Sequence, residues 1–179
     1  MPADYYLSAN KQGSQAVNNG HMTDHTFIRI ESPGVNCAVV REEDDGWKIL
    51  LLKRAPTETY GGSWGFVTGR KRGTETVAQI VQREILEETG LTPTRVFATE
   101  HVVQFYEPEV DAIWVLPLIV ATVNPDAEVV LNHENTEFAW LPVLRARNRV
   151  SWKNLMRSID LIYDELELFP ARNWVEIKP

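Results

Sequence analysis

One cysteine, Cys37, is all that the 179 residues contain. An intrachain disulfide is thereby excluded, and so is a zinc site built from several thiolates. As a lone thiol, Cys37 reads as a small core hydrophobe. Long apolar runs are also missing. None approaches the roughly 18 residues that cross a bilayer as a helix, so no membrane association is expected. Met1–Gly20 lacks an apolar centre, so no cleavable leader is expected and the cytoplasm is the expected compartment. Positive charge is scarce: 18 Lys and Arg stand against 25 Asp and Glu, a net charge of −7. Such a balance argues against a basic face for a nucleic-acid duplex. It admits an anionic small molecule only if a metal ion brings the positive charge. What is present, 44% hydrophobic and 24% charged residues, is the composition of one globular domain.

Residues 1–34 read as an N-terminal arm or tail, with Gly20-His21-Met22 resembling an expression scar and the tail a candidate homodimer contact. Residues 35–170 form the expected domain, and 171–179 a C-terminal tail. Val35–Val40 and Lys48–Leu52 look like buried strands of a hairpin turning at Glu42–Gly46. Trp64–Thr68 is a short strand ending at Gly69. Thr74–Thr89 has helical periodicity, with Thr74 as N-cap and Gly90 just past the end. Thr94–Tyr106 and Ala112–Val123 form a second hairpin, and Phe138–Leu141 another short strand. Trp152–Leu166 repeats apolar residues at helical spacing. Strands, helix, strands, helix in this order predict an α/β domain with a mixed sheet between helices.

The chemistry is concentrated between Gly69 and Leu91. Glu84, Glu87 and Glu88 stand at i, i+3 and i+4, on one face of a helix. At about 100° per residue they border the apolar stripe of Ala78, Val81 and Ile85 instead of opposing it. A solvated acidic face is the plainer alternative, but it would lie opposite that stripe. Like charges within one turn also repel by a few tenths of a kcal/mol per pair. Hard divalent cations, which take oxygen ligands, account better for carboxylates at a core edge. Arg83, four residues before Glu87, is spaced to hydrogen-bond it and orient a ligand carboxylate. Gly69 permits a close backbone approach.

Gly69, then Glu75, then Arg83-Glu84-Ile85, Glu87-Glu88 and Gly90-Leu91 match the Nudix box at every fixed position. The chain therefore resembles the Nudix hydrolases, and the resemblance extends over roughly Val35–Leu166. It implies their α/β/α sandwich with a mixed sheet. It also implies hydrolysis of a nucleoside diphosphate linked to another moiety, with Mg²⁺, or Mn²⁺ as substitute, held by Glu84, Glu87 and Glu88. A backbone oxygen at Thr68–Gly69 becomes a further ligand. Arg83 orients the acids, and Glu75 and Gly90 shape the loop–helix–loop.

The flanks resemble a narrower group. Leu50–Arg54 and the approach Trp64-Gly65-Phe66-Val67-Thr68-Gly69 are similar to those of the dihydroneopterin triphosphate pyrophosphatases, also described as dATP pyrophosphohydrolases. Glu134, six residues before Trp140, matches that group's downstream acid, and Ser151–Asn154 opens the last helix in a similar way. This resemblance implies a nucleotide or pterin triphosphate as substrate. It makes Glu134 an extra metal ligand or the general base, with Glu137 as the neighbouring alternative. Arg54 would contact phosphate. Trp64, Phe66 and Trp140 would flank a flat ring, the alternative being that each is core. His101 and His133 read as ordinary polar positions. The box departs from the group at Arg70-Lys71-Arg72, cations that either bind distal phosphates or are solvated. A dinucleoside polyphosphate stays open as substrate, as does a ligand sensor without catalysis.

Overall fold

The computed structural model describes residues 27–168 and 174–178. Among these residues nine strands share one mixed sheet. They are β1 (Arg29–Glu31), β2 (Gly34–Glu43), β3 (Gly46–Arg54), β4 (Trp64–Gly65), β5 (Val67–Arg70), β6 (Pro93–Glu107), β7 (Ala112–Val123), β8 (Asn135–Pro142) and β9 (Val175–Glu176). The helices are α1 (Val77–Thr89), α2 (Val143–Ala146) and α3 (Lys153–Tyr163), the last running into a π-helical turn over Asp164–Leu168.

The apolar runs of β2 and β3 are continuous because both faces of these strands are covered. Side chains alternate across a strand. Cys37, Val39, Leu50 and Leu52 therefore enter the core layer against Ile80, Val81 and Ile85 of α1. Ala38, Val40, Ile49 and Leu51 enter the opposite layer against Leu155, Ile159 and Ile162 of α3. This is the expected α/β/α sandwich.

The sheet has a split that positions the site. β2 and β3 pair directly only where Val40–Glu43 meets Gly46–Ile49. Beyond that they diverge. β5 then pairs with Gly34–Cys37 of β2, and β4 pairs with Leu52–Lys53 of β3. Trp64–Thr68, expected as one strand, is thus two short ones that line the opening. On its other edge β2 runs parallel to β7, and β3 pairs along its length with β8.

Both expected tails contribute strands. Arg29–Glu31 pairs in parallel with Ala112–Trp114. Val175–Glu176 adds to the edge of β6, where Arg95 bonds Glu176 at 2.9 Å. The rest of the arm, including Gly20–Met22, lies outside the described residues. Trp152 precedes α3 instead of opening its first turn. Helix α1 begins three residues later than Thr74. Thr76 is its N-cap, and the oxygens of Thr76 and Gln79 accept from each other's backbone N–H in a capping box. Gly90 closes the helix at φ 69°, a left-handed conformation that glycine adopts without strain.

Candidate active site

Thr74 and Glu75 are left out of the helix because Glu75 is used in a turn. Its carboxylate accepts the Arg72 backbone N–H at 2.7 Å and both arms of the Arg83 guanidinium, at 2.6 and 2.9 Å. Arg83 also donates to Glu84 Oε1 at 2.6 Å and to the Arg70 carbonyl at 2.9 Å. Its contact with Glu87, expected from the i,i+4 spacing, is the longest at 3.5 Å. The fork of Arg83 therefore ties the β5–α1 loop to the helix, chiefly through Glu75. These charge-assisted bonds hold Glu75 well below the usual carboxylate range, at about 2, with Arg83 as the largest cause.

Gly69 lies under Glu84. A Cβ at residue 69 would stand 2.2 Å from Glu84 Cγ, so only glycine allows the carboxylate to pack against the backbone there. A Cβ at Gly34 would in turn come within 1.9 Å of the Gly69 carbonyl oxygen. Two glycines in facing strands thus let Glu84 pack on β5 and β5 pack closely on β2 at the split.

The three box acids have unlike surroundings. Glu84 is buried, and loss of water pushes its carboxyl up against the opposing pull of Arg83. Glu87 is half-exposed and paired with both arms of Arg72 at 2.9 Å, which holds its carboxyl down. Glu88 is 3% exposed and accepts from Asn135 Nδ2 at 2.9 Å. Burial, with the like charges of Glu134 and Glu84 added, pushes it up to about 7.

Among the described residues no three His, Cys, Asp or Glu side chains form a closed cation cage. The chemistry of the donor set nevertheless fits a hard divalent cation. Glu84, Glu88 and Glu134 crowd negative charge together, and the Gly69 backbone packs against Glu84. Mg²⁺ favours such a set, one or two carboxylates with the rest of its shell left to water and phosphate.

A cleft of 560 Å³ opens at the split, large enough for a nucleotide. Gly69, Arg70, Arg72 and Glu84 line it from one side, and Arg54, Glu134 and Asn135 from the ends of β3 and β8. Arg54 donates to the Thr59 carbonyl at 3.0 Å. The Glu134 backbone carbonyl accepts from Ala55 N–H at 2.7 Å, while among the described residues its carboxylate is held only by Asn132 at 3.4 Å. Arg70 lies over the Trp114 ring, 4.9 Å from its centroid.

Of the expected ring contacts, Phe66 lines the cleft, whereas Trp64 and Trp140 do not. Trp64 is buried in the α3-side core layer with Arg149 over its ring. Trp140 packs on the α1 side under Arg41. Alternation along β8 places Trp140 on the α1 side of the sheet, away from the cleft, whereas Trp64 shares the α3-side layer with Phe66 and is packed inside it. Glu137, the alternative to Glu134, is engaged by Lys53 at 2.6 Å, outside the cleft lining. The other aromatic walls are Tyr60, Phe105, Tyr106, Trp114 and Trp152. Tyr60 and Trp152 meet edge to face at 5.2 Å. Tyr60 is held at φ 60°, an unusual conformation for a residue with a side chain. The glycines that follow Tyr60 are the local signal in the sequence for this turn, and Trp152 falls within the Ser151–Asn154 stretch noted above. Asn135 had none, since it reaches Glu88 solely through the pairing of β8 with β3.

A box helix behind a split mixed sheet, with acids, a backbone carbonyl and cations at one cleft, defines the architecture of a family. The NUDIX domain family matches residues 31–159, and the chain belongs to it. An octanoyltransferase of Myxococcus xanthus is 30% identical over 150 residues, covering 81% of this chain and 42% of that protein. A candidate 8-oxo-dGTP diphosphatase of Mycobacterium tuberculosis is 31% identical over 124 residues, covering 69% of this chain and 55% of that protein. The chain thus spans about half the length of the curated relatives it matches. Among solved structures, an Ap4A hydrolase of C. elegans in a binary complex superposes with a TM-score of 0.65 at 17% identity. That match covers 76% of this chain and 98% of the other, and it shows the shared fold.

Proposed function

We propose that the protein is a divalent-metal-dependent pyrophosphohydrolase that cuts a nucleoside triphosphate-like substrate to the monophosphate and pyrophosphate. The observation that carries this reading is the juxtaposition of Glu84, Gly69, Glu134 and three arginines in one cleft. The Mycobacterium relative, named for a deoxynucleoside triphosphate, supports the substrate's length. The Trp64–Gly69 approach supports the narrower choice of a dihydroneopterin triphosphate or dATP type. The retention of every box acid favours catalysis over a sensor role.

Glu84, Glu87, Glu88 and the Gly69 carbonyl would hold Mg²⁺ or Mn²⁺, which would offset phosphate charge and favour ionisation of bound water. The chain's own groups then divide the remaining work. Arg54, Arg70 and Arg72 bind phosphate oxygens and fix the chain of phosphates along the cleft. Arg83 keeps Glu84 in place through the bonds described above. Water attacks one phosphorus, the bond to the bridging oxygen breaks, and pyrophosphate departs with the negative charge. Glu134, loosely held at the cleft wall, takes the proton released by the water. With a carboxylate as proton acceptor and a bound water as nucleophile, both of which act deprotonated, the rate rises from pH 6 to pH 9.

Incubation of the protein with dihydroneopterin triphosphate, dATP or 8-oxo-dGTP and Mg²⁺, followed by phosphorus NMR, tests the proposal. Monophosphate and pyrophosphate are expected in equal amounts, with a rate at least about 100-fold lower in Glu84→Gln. Absence of pyrophosphate from every substrate rejects this cleavage. A pair of nucleotides released from a dinucleoside polyphosphate would assign the cleft to that class instead.

A further inference from the structure

The inner end of the cleft holds a polar group that the proposed chemistry does not use. Asn36 lies on β2 between Thr68 of β5 and Leu118 of β7. It is 5% exposed and lines the cleft. Its side-chain Oδ1 is buried and has no hydrogen-bond partner among the described residues. A buried amide oxygen left unpaired costs on the order of 1–3 kcal/mol, so this position is costly unless something donates to it.

The surroundings narrow what that donor is. By strand alternation Asn36 faces the same side as Ala38 and Val40, the side of the apolar layer containing Phe66, Val103, Leu118 and Leu155. Phe66, Val103 and Leu155 also line the cleft. An apolar slot with one unpaired acceptor in its wall suits a flat heterocycle better than a sugar or a phosphate. Glu107, the buried carboxylate that also lines the cleft, accepts from Tyr60 Oη at 3.3 Å. It pairs with Ala112, six residues along β7 from Leu118. That is about 20 Å of strand, too far for one ring to span.

We infer that Asn36 accepts a hydrogen bond from an N–H of the substrate's heterocycle, so that the cleft selects oxo- or amino-substituted purine or pterin rings over rings that present no N–H. The inference rests on the nucleotide-like reading of the cleft given above and adds the residue that discriminates among rings.

Binding of product-like monophosphates without metal isolates this step from hydrolysis. In EDTA, tryptophan fluorescence would follow titration with guanosine 5′-monophosphate and with purine riboside 5′-monophosphate, whose ring carries no N–H. The expected preference for the guanine compound is about tenfold. Asn36→Leu brings the ratio close to one by weakening the guanine compound alone. Asn36→Asp, which keeps an oxygen at the same place, retains the preference. A ratio near one in the unaltered protein overturns the inference, as does failure of both compounds to bind at millimolar concentration. An unchanged ratio in folded Asn36→Leu does so too. If Asn36→Leu does not fold, the unaltered protein and Asn36→Asp decide. Loss of the ratio alongside intact pyrophosphate release sinks this inference alone, whereas intact ring selection without any hydrolysis sinks the hydrolase reading.

Discussion

At residue 69 the backbone and a side chain compete for the same space, and the side chain is a carboxylate that the proposed chemistry needs. The 2.2 Å that would separate a Cβ at this residue from Glu84 Cγ leaves no room for even a methyl group. Gly69→Ala must therefore displace Glu84 or shift β5. Overpacking of this kind costs about 1–3 kcal/mol, and a urea melt should find a loss in that range. Pyrophosphate release should fall together with stability, because the displaced group is Glu84 itself. Retention of full activity and full stability in Gly69→Ala would show that the contact is slack. The spacing of the box made Gly69 and the three acids visible in the sequence. The unlike fates of those acids were not visible, because Asn135 and Arg72 approach from other parts of the chain.

Helix α1 is the element that carries the acids, and its first turn is secured separately from them. Thr76 and Gln79 satisfy two backbone N–H groups reciprocally, at 3.2 and 2.9 Å. Glu75 is thereby released to bind Arg83. Thr76→Ala should cost about 1 kcal/mol in thermal or denaturant unfolding. Catalysis should change much less, since Ile80, Val81 and Ile85 still anchor the helix in the core. A large loss of activity without loss of stability would mean that the cap serves the site directly. Helical periodicity located this element to within three residues. It could not choose between Thr74 and Thr76 as cap, because both are threonines with an acidic or amide residue nearby. Strand alternation had a comparable limit. The aromatic residues at 64 and 140 looked suited to stacking, but the face each would occupy depends on how β4 and β8 pair with β3.

For the molecule as a whole, the buried acids couple folding to pH and to cations. The folded protein holds the Glu88 proton up to about pH 7, whereas an unfolded carboxyl releases it near pH 4.3. The native state therefore binds more protons between these values, and stability falls as pH rises through that window. Above pH 7 the loss is complete, amounting to a few kcal/mol at most. In metal-free buffer, Glu88→Gln should melt at a higher temperature than the unaltered protein at pH 8, with the difference shrinking toward pH 4.5. Adding Mn²⁺ at 100 times its dissociation constant should stabilise the unaltered protein at pH 8 by about 2.7 kcal/mol. A pH-independent difference, or a melting temperature indifferent to Mn²⁺, would contradict this account of the acids. Among the described residues no helix is long and apolar enough to cross a membrane.

The amino-acid order alone determined the box helix, the two hairpins and the identity of the acids, because these depend on neighbours within a few residues and on fixed periods of 3.6 and 2. Tertiary structure decided the split between β2 and β3, the aromatic walls of the cleft and the partner of each acid. Those follow from strand register and from contacts between residues as distant as Glu88 and Asn135, and no local spacing encodes which of many possible pairings buries the most surface.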